Sequence, residues 1–249
     1  MSSRWHADYT RGRPGYPRAA VRVASLARSS SVLDVGAGTG KLTHLLVEAF
    51  AHVVAVEPDP GMRSVFTVRP PALLVAGGAE ALPVAPASVD AVFVAEAFHW
   101  FDHQRALAEI ARVLRPGGAL VLMWNRPAGK PEPPIAEVEH LLEPRWPADI
   151  AMPLDLDPNR FAYARDWPRA FDGSVFEPLQ ESRLANIRTV GRDDLVAFFG
   201  SMGWIGELPD AEARVLLDAV RSGLVHDEYR LPFETDVHWT RVLPGMGRG

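Results

Sequence analysis

The stretch Val32-Leu33-Asp34-Val35-Gly36-Ala37-Gly38-Thr39-Gly40 decides the fold. A short apolar run passes without a break into three glycines in five positions, and the helical repeat Leu42, Leu45, Leu46, Ala49 begins directly after them. A strand that turns through glycines into a helix is the start of a βαβ unit, with a ligand loop at the helix N-terminus. Glycine lets the backbone approach a ligand that side chains would hold off, and unpaired N–H groups are expected to face it. A dinucleotide fingerprint needs a further glycine after two intervening residues, and Lys41 stands where helix and strand should close over a pyrophosphate. Glu57 ends the next apolar run, at about the 20-residue distance where a carboxylate accepts from ribose hydroxyls. The ligand expected from these residues carries a nucleoside without a pyrophosphate.

Working outward, Val53 to Val56, Leu73 to Ala76, Ala91 to Ala95 and Ala119 to Trp124 are further brief apolar runs bounded by turn residues. Such runs are the mark of strands buried on both faces. Leu107, Ile110, Ala111 and Leu114 repeat at helical spacing ahead of Arg115-Pro116-Gly117-Gly118. The alternation predicts a doubly wound α/β sheet with right-handed crossovers. Residues 127–178 are rich in proline and read as an inserted cap with a short helix at Ile135 to Leu142. They are followed by a strand (Ser182 to Val190), helices at Asp193 to Phe199 and Pro209 to Arg221, and a half-buried, antiparallel strand in which Leu231, Phe233, Thr235, Val237 and Trp239 share a face. Pro244 to Gly249 read as a frayed end.

Composition bounds the chemistry. The 249 residues hold no cysteine, which excludes disulfides, thiolate zinc sites and cysteine nucleophiles and fits a reducing compartment. The formal charge of −5 gives no basic stripe for phosphate neutralisation, so nucleic acid is not an expected partner. Lys41 and Lys130 are the sole lysines among 26 basic residues, a bias we read as ancestry rather than chemistry. The N-terminal MSSRWHADYTRGR has no apolar run, and the longest apolar stretches fall far short of the ~20 residues that span a bilayer. No membrane partner, no metal and a cytoplasmic location are the expectations.

These residues resemble the class I S-adenosylmethionine-dependent methyltransferases, in particular the small-molecule branch similar to trans-aconitate methyltransferases, over essentially the whole chain. Asp34 to Gly40 is similar to the family's glycine-rich first motif, with Asp34, Gly36, Ala37 and Gly38 against the cofactor, and Glu57 with Pro58 stands at its ribose-binding acid. Met62 occupies the place of the side chain that packs on the adenine. Gly78-Ala79-Glu80-Ala81-Leu82-Pro83 resembles the loop that reads the adenine edge, through Ala79 and Glu80. The family often has Asp in front of the Ala; this chain has Gly78, which leaves the recognition to the backbone N–H of Ala79. Ala95-Glu96-Ala97-Phe98-His99-Trp100-Phe101 resembles the segment beside the methionine moiety, and Tyr9, Arg13, Pro14 and Tyr16 resemble an N-terminal lid. Leu195 to Leu208 and Thr235 to Arg241 are similar to the branch's C-terminal pattern.

The resemblance implies a single Rossmann-like methyltransferase domain of seven strands with a reversed last strand: a lid (1–30), a cofactor core (31–126), the cap (127–178), and C-terminal helices and antiparallel strands (179–249). It further implies S-adenosyl-L-methionine as cofactor, S-adenosyl-L-homocysteine as product and a small-molecule acceptor, with a homodimer allowed for. Methyl transfer to an oxygen by direct displacement needs no protein nucleophile. His99, just past the fourth strand with an ordinary pKa near 6.5, is the candidate general base for a hydroxyl acceptor. Arg160, Arg165 and Arg169 in the cap are candidates for gripping an anionic acceptor, against a solvated face. Two other readings fit the same motifs: a protein that binds S-adenosylmethionine without transferring its methyl group, and a nicotinamide-dependent oxidoreductase.

Overall fold

The computed structural model describes residues 2–68, 72–145 and 167–243. Trp146, Arg160, Phe161, Tyr163, Arg165 and the tail from Pro244 lie outside the described residues. The chain divides into two compact units, one of Met1–Pro14, Arg126–Ala162 and Ala185–Glu234, the other of Gly15–Asn125, Tyr163–Leu184 and Thr235–Gly249. The cap expected at 127–178 is thereby shared between the two.

The chain forms a seven-stranded sheet, of which the second unit holds β1 to β4, most of β5 and parts of β6 and β7. In chain order its strands are β1 (Ser31–Val35), β2 (His52–Val56), β3 (Leu73–Val75), β4 (Val89–Ala95), β5 (Leu114–Pro127), β6 (Gln180–Gly191) and β7 (Glu228–Arg241). Their spatial order is β3-β2-β1-β4-β5-β7-β6, and β1 to β5 pair in parallel. β7 runs against β5: Val242 donates to Gly118 while Pro232, ten residues earlier, accepts from Ala128. The order therefore contains the expected reversed strand, inserted between β5 and the edge strand β6. Period two explains why the strand sequences look uniformly apolar. Leu33, Val35, Val92, Val94, Leu120 and Leu122 pack on one side with Leu107 and Ile110 of α4 (His103–Val113). Val32, Ala91, Phe93, Ala119, Val121 and Met123 pack on the other with Leu42 and Leu46 of α2 (Lys41–Ala49). The strand order reverses between β1 and β4, and a doubly wound sheet places its ligand crevice at the carboxyl ends of the strands at such a point. β5 begins at Leu114, ahead of the Arg115-Pro116-Gly117-Gly118 stop, and its pairing with β4 shifts register there.

The first unit is helical, with α1 (Ser3–Gly12), α5 (Ala136–Leu142), α6 (Arg192–Gly200), α7 (Gly203–Glu207) and α8 (Asp210–Gly223); the short α3 (Pro60–Ser64) belongs to the sheet unit. Its core joins Val138 and Leu142 to Leu195, Phe198, Phe199, Leu216, Val220 and Phe233. α1 crosses α6 backbone to backbone, since a Cβ on Gly12 would sit 2.1 Å from the amide nitrogen of Phe198. No helix of the described residues is long and apolar enough to cross a membrane.

Candidate functional site

At the end of β1 the chain turns through Gly36 (φ +71°), Gly38 (φ +57°) and Gly40 (φ +90°), left-handed values that favour glycine. The turn does not leave its amides free, as the sequence suggested. Gly36 and Ala37 donate to the carbonyl of Val56 at 2.9 and 3.1 Å, Gly40 donates to Ala37 at 2.9 Å, and Gly38 donates to Glu57 Oε2 at 2.8 Å. A loop that grips a pyrophosphate needs those groups for the ligand. Here they tie the loop to β2, and what they prepare instead is a carboxylate.

Glu57 is 6% exposed, and its second oxygen accepts from the amide of Asp59 at 2.8 Å. Both carboxylate oxygens are thus fixed from behind, each with a lone pair left for another donor. Asp59 in turn caps α3, accepting from Gly61 and Met62, and Met62 is buried. Pro58 is exposed, and its carbonyl and that of Glu57 accept from Arg63.

Asp34 is 1% exposed and accepts from the Thr43 hydroxyl at 2.5 Å, so it ties β1 to α2. Burial, with the Glu57 charge as a smaller addition, pushes its carboxyl up to about 7 against the Thr43 hydrogen bonds that lower it.

The segment after β4 meets the loop directly. A Cβ on Gly36 would lie 2.6 Å from the Cβ of Ala97 and 3.6 Å from the Phe101 ring. Ala95 ends β4, and Glu96 takes a left-handed φ of 54° with its Oε1 accepting from the Asn125 amide at 2.6 Å. Asn125, which the sequence reading did not single out, fixes this segment. Its side chain also donates to Gly15 and accepts from Thr235, joining three distant parts of the chain. No motif surrounds it, so no local signal could have found it.

Ala79 is buried between Gly78 and Glu80. Glu80 Oε1 accepts from the Asp102 amide at 3.0 Å, Glu109 accepts from Leu82, and Arg112 donates to Leu82 and Val84. The loop is clamped to α4 at both ends.

His99 lies in a single turn (Phe98–Trp100) and its Nδ1 accepts from Trp124 Nε1 at 3.3 Å. The ordinary imidazole pKa expected of it is not what the structure gives: burial, with His103 adding to it, pushes the ring down to about 4. Arg169 is exposed. The expected lid residues divide. Tyr16 packs on the Ala20, Val21 and Phe50 cluster of the sheet unit. Tyr9 and Arg13 belong to the helical unit, where Arg13 lies 5.3 Å from the Tyr9 ring and donates to the Ser201 carbonyl.

Three observations fit a nucleoside-bearing ligand within the sheet unit. Glu57 presents a fixed carboxylate, a Cβ on Gly38 would meet nothing within 4 Å, and the buried Thr39 hydroxyl has no partner among the described residues. A glycine kept for packing would have a neighbour; Gly38 faces room for one. No group of three or more His, Asp or Glu among the described residues is placed to hold a metal.

Residues 33–122 match the methyltransferase domain family. An uncharacterized methyltransferase of Mycobacterium tuberculosis is 52% identical over 118 residues, 47% of this chain and 49% of that protein. The chain thus spans about half the length of the first relatives it matches. A methyltransferase-like protein of Schizosaccharomyces pombe is 32% identical over 212 residues, 83% of this chain and 78% of that one. A malonyl-[acyl-carrier protein] O-methyltransferase of Methylococcus capsulatus is 49% identical over 96 residues, 36% and 35% of the two chains. Among solved structures, one from Anaeromyxobacter dehalogenans assigned to the type II methyltransferases superimposes with a TM-score of 0.62 at 24% identity, covering 93% of this chain and 99% of that one. Glycine turn, clamped acid, strand order and these likenesses agree, and the chain belongs to the class I S-adenosylmethionine-dependent methyltransferases.

Proposed function

We propose that this chain transfers a methyl group from S-adenosyl-L-methionine to a small-molecule acceptor, by O-methylation of a carboxylate or hydroxyl through direct displacement. The observation that carries the reading is the clamp on Glu57, whose two oxygens are each held by one amide, of Gly38 and of Asp59, and each keep a lone pair for a ribose hydroxyl. When bound, S-adenosyl-L-methionine supplies an electrophilic methyl group on a sulfonium centre. The chain's residues then bind and orient. Glu57 takes the ribose hydroxyls, Met62 and the Ala79 amide take the adenine, and Asp34, Gly36, Gly38, Ala95 and Glu96 line the methionine side. Tyr16 is the expected lid residue that belongs to the same unit as these groups. Holding two reactants in line contributes up to ~7–11 kcal/mol of the barrier, enough that no protein nucleophile is called for.

An oxygen acceptor is supported by the likeness to an O-methyltransferase over the cofactor core. A small-molecule acceptor rather than a polyanion is supported by the formal charge of −5, and a cytoplasmic setting by the cysteine-free sequence. The test is a methyl-transfer assay from labelled S-adenosyl-L-methionine over a panel of carboxylic acids, phenols and alcohols, run beside protein and nucleic acid. Turnover on a small molecule is the expected result; label found on macromolecules alone rejects it, and tight S-adenosyl-L-homocysteine binding without turnover points to a binding protein.

A further inference from the structure

The turn that carries His99 is held against the glycine loop on both sides, by Ala97 before it and Phe101 after it. His99 is the titratable ring of that turn, so the position of its proton matters. Its Nδ1 is the acceptor in the bond from Trp124 Nε1. An indole N–H can only donate, which means that Nδ1 carries no hydrogen and that the neutral ring carries its proton on Nε2. Trp124 has little freedom to release it. The indole is buried, stacked on Trp167 at 4.9 Å and 28°, with the edge of His238 of β7 at 5.9 Å.

Protonating Nδ1 would set N–H against N–H. The hydrogen bond would be lost and a buried donor left without a partner, in a place where burial already disfavours the charged ring. Of the other titratable groups near it among the described residues, three have partners or effects of their own. His103 of α4 would add a like charge, His238 meets the far partner Trp124, and the Glu96 carboxylate is held on the Asn125 amide.

We propose that Trp124 is a positioning residue that locks His99 in its Nε2–H tautomer, so that the ring serves as a hydrogen-bond donor and not as a general base. The lock itself stands on the Trp124–His99 geometry; its consequence for the acceptor rests on the methyl-transfer reading. In the displacement the acceptor oxygen forms the new bond to carbon with its own lone pair, and the electron pair of the broken C–S bond stays on sulfur. A carboxylate has no proton to lose in that step. A hydroxyl has one, and His99 is not the group that takes it. Acceptors that arrive ionised are therefore favoured.

Long-range ¹H–¹⁵N spectra of the imidazole rings test the lock without any acceptor, with the His99 signals identified by their loss in His99→Leu. The expected spectrum shows Nδ1 as an unprotonated acceptor and Nε2 as a donor, unchanged from about pH 8 to about pH 5.5. An Nδ1–H tautomer, a mixture of tautomers, or an imidazolium forming near the ordinary midpoint overturns it. Trp124→Phe should raise the His99 midpoint by about one to two pH units, the equivalent of one buried hydrogen bond; an unmoved midpoint removes Trp124 from the account. If that variant does not fold, the Trp124 indole proton gives the same answer from the other side: in His99→Leu it should shift and exchange faster, and an unchanged signal overturns the bond. Should no methyl acceptor be found, these spectra still read the lock, so the two failures are distinguishable.

Discussion

Replacing Glu57 by Gln tests the site at its most specific point. The substitution keeps the length and most of the volume but converts one of two acceptors into a donor. In the structure both oxygens already face an amide, Gly38 on Oε2 and Asp59 on Oε1, each at 2.8 Å. Whichever way the amide group turns, one N–H faces another, so one of the two loops loses its anchor. The ligand loses more. A carboxylate oxygen with a free lone pair offers a charge-assisted hydrogen bond worth about 1.5–3 kcal/mol, and a ribose diol uses two. Removing one and taking the charge from the other should cost about 3 kcal/mol of binding, roughly a hundredfold in the dissociation constant. Isothermal titration with S-adenosyl-L-homocysteine measures it, with circular dichroism to show that the variant is folded. A folded Glu57→Gln chain that binds within about twofold of the unaltered one would refute the assignment, since that ratio is far below the value of even one such bond.

Three further outcomes follow from β1 and the loop after it. Burial raises Asp34 from its ordinary 3.8 to about 7, so the stability it allows is fully present below the ordinary carboxylate range and is lost as pH rises through 7. Asp34→Asn, which keeps an acceptor for Thr43, should gain on the unaltered chain between pH 4.5 and 8 in urea unfolding, by up to about 4 kcal/mol; a difference that stays constant with pH contradicts the buried-charge account. Gly36→Ala should destabilise the fold by roughly 2 kcal/mol or more, because φ is +71° and the new Cβ would meet Ala97 at 2.6 Å. Gly38→Ala, which meets nothing within 4 Å, should cost about 1 kcal/mol by thermal denaturation yet weaken S-adenosyl-L-homocysteine binding at least tenfold; full binding would mean the open side of Gly38 is not a ligand's place.

The parts legible in the sequence are those whose physics is local. Val32 to Val35 and Ala91 to Ala95 announce strands because both faces of the sheet are covered, so the apolar run is unbroken. Glu57 is legible because a strand end fixes its distance from the glycines. What the sequence hides is the use of each polar atom. Unpaired amides were expected in the glycine loop, but Val56 accepts from those of both Gly36 and Ala37, a contact about 20 residues along the chain. His99 offered an ordinary imidazole, yet Trp124, on the neighbouring strand, decides which nitrogen carries the proton. Asn125 gathers Glu96, Gly15 and Thr235 from positions up to 110 residues away, and no spacing rule reaches that far.

The clamp on the segment from Gly78 to Val84 bears on the thermodynamics of recognition. The Glu109 carboxylate and the Arg112 guanidinium of α4 hold Leu82 and Val84, and the Asp102 amide ahead of α4 donates to Glu80, so a stretch without regular structure is immobilised by a helix lying alongside it. Its conformational entropy is surrendered when the chain folds, not when a ligand arrives. On the proposed reading, a purine edge settling there loses only its own freedom, and discrimination among bases becomes a matter of fixed geometry instead of adaptive closure.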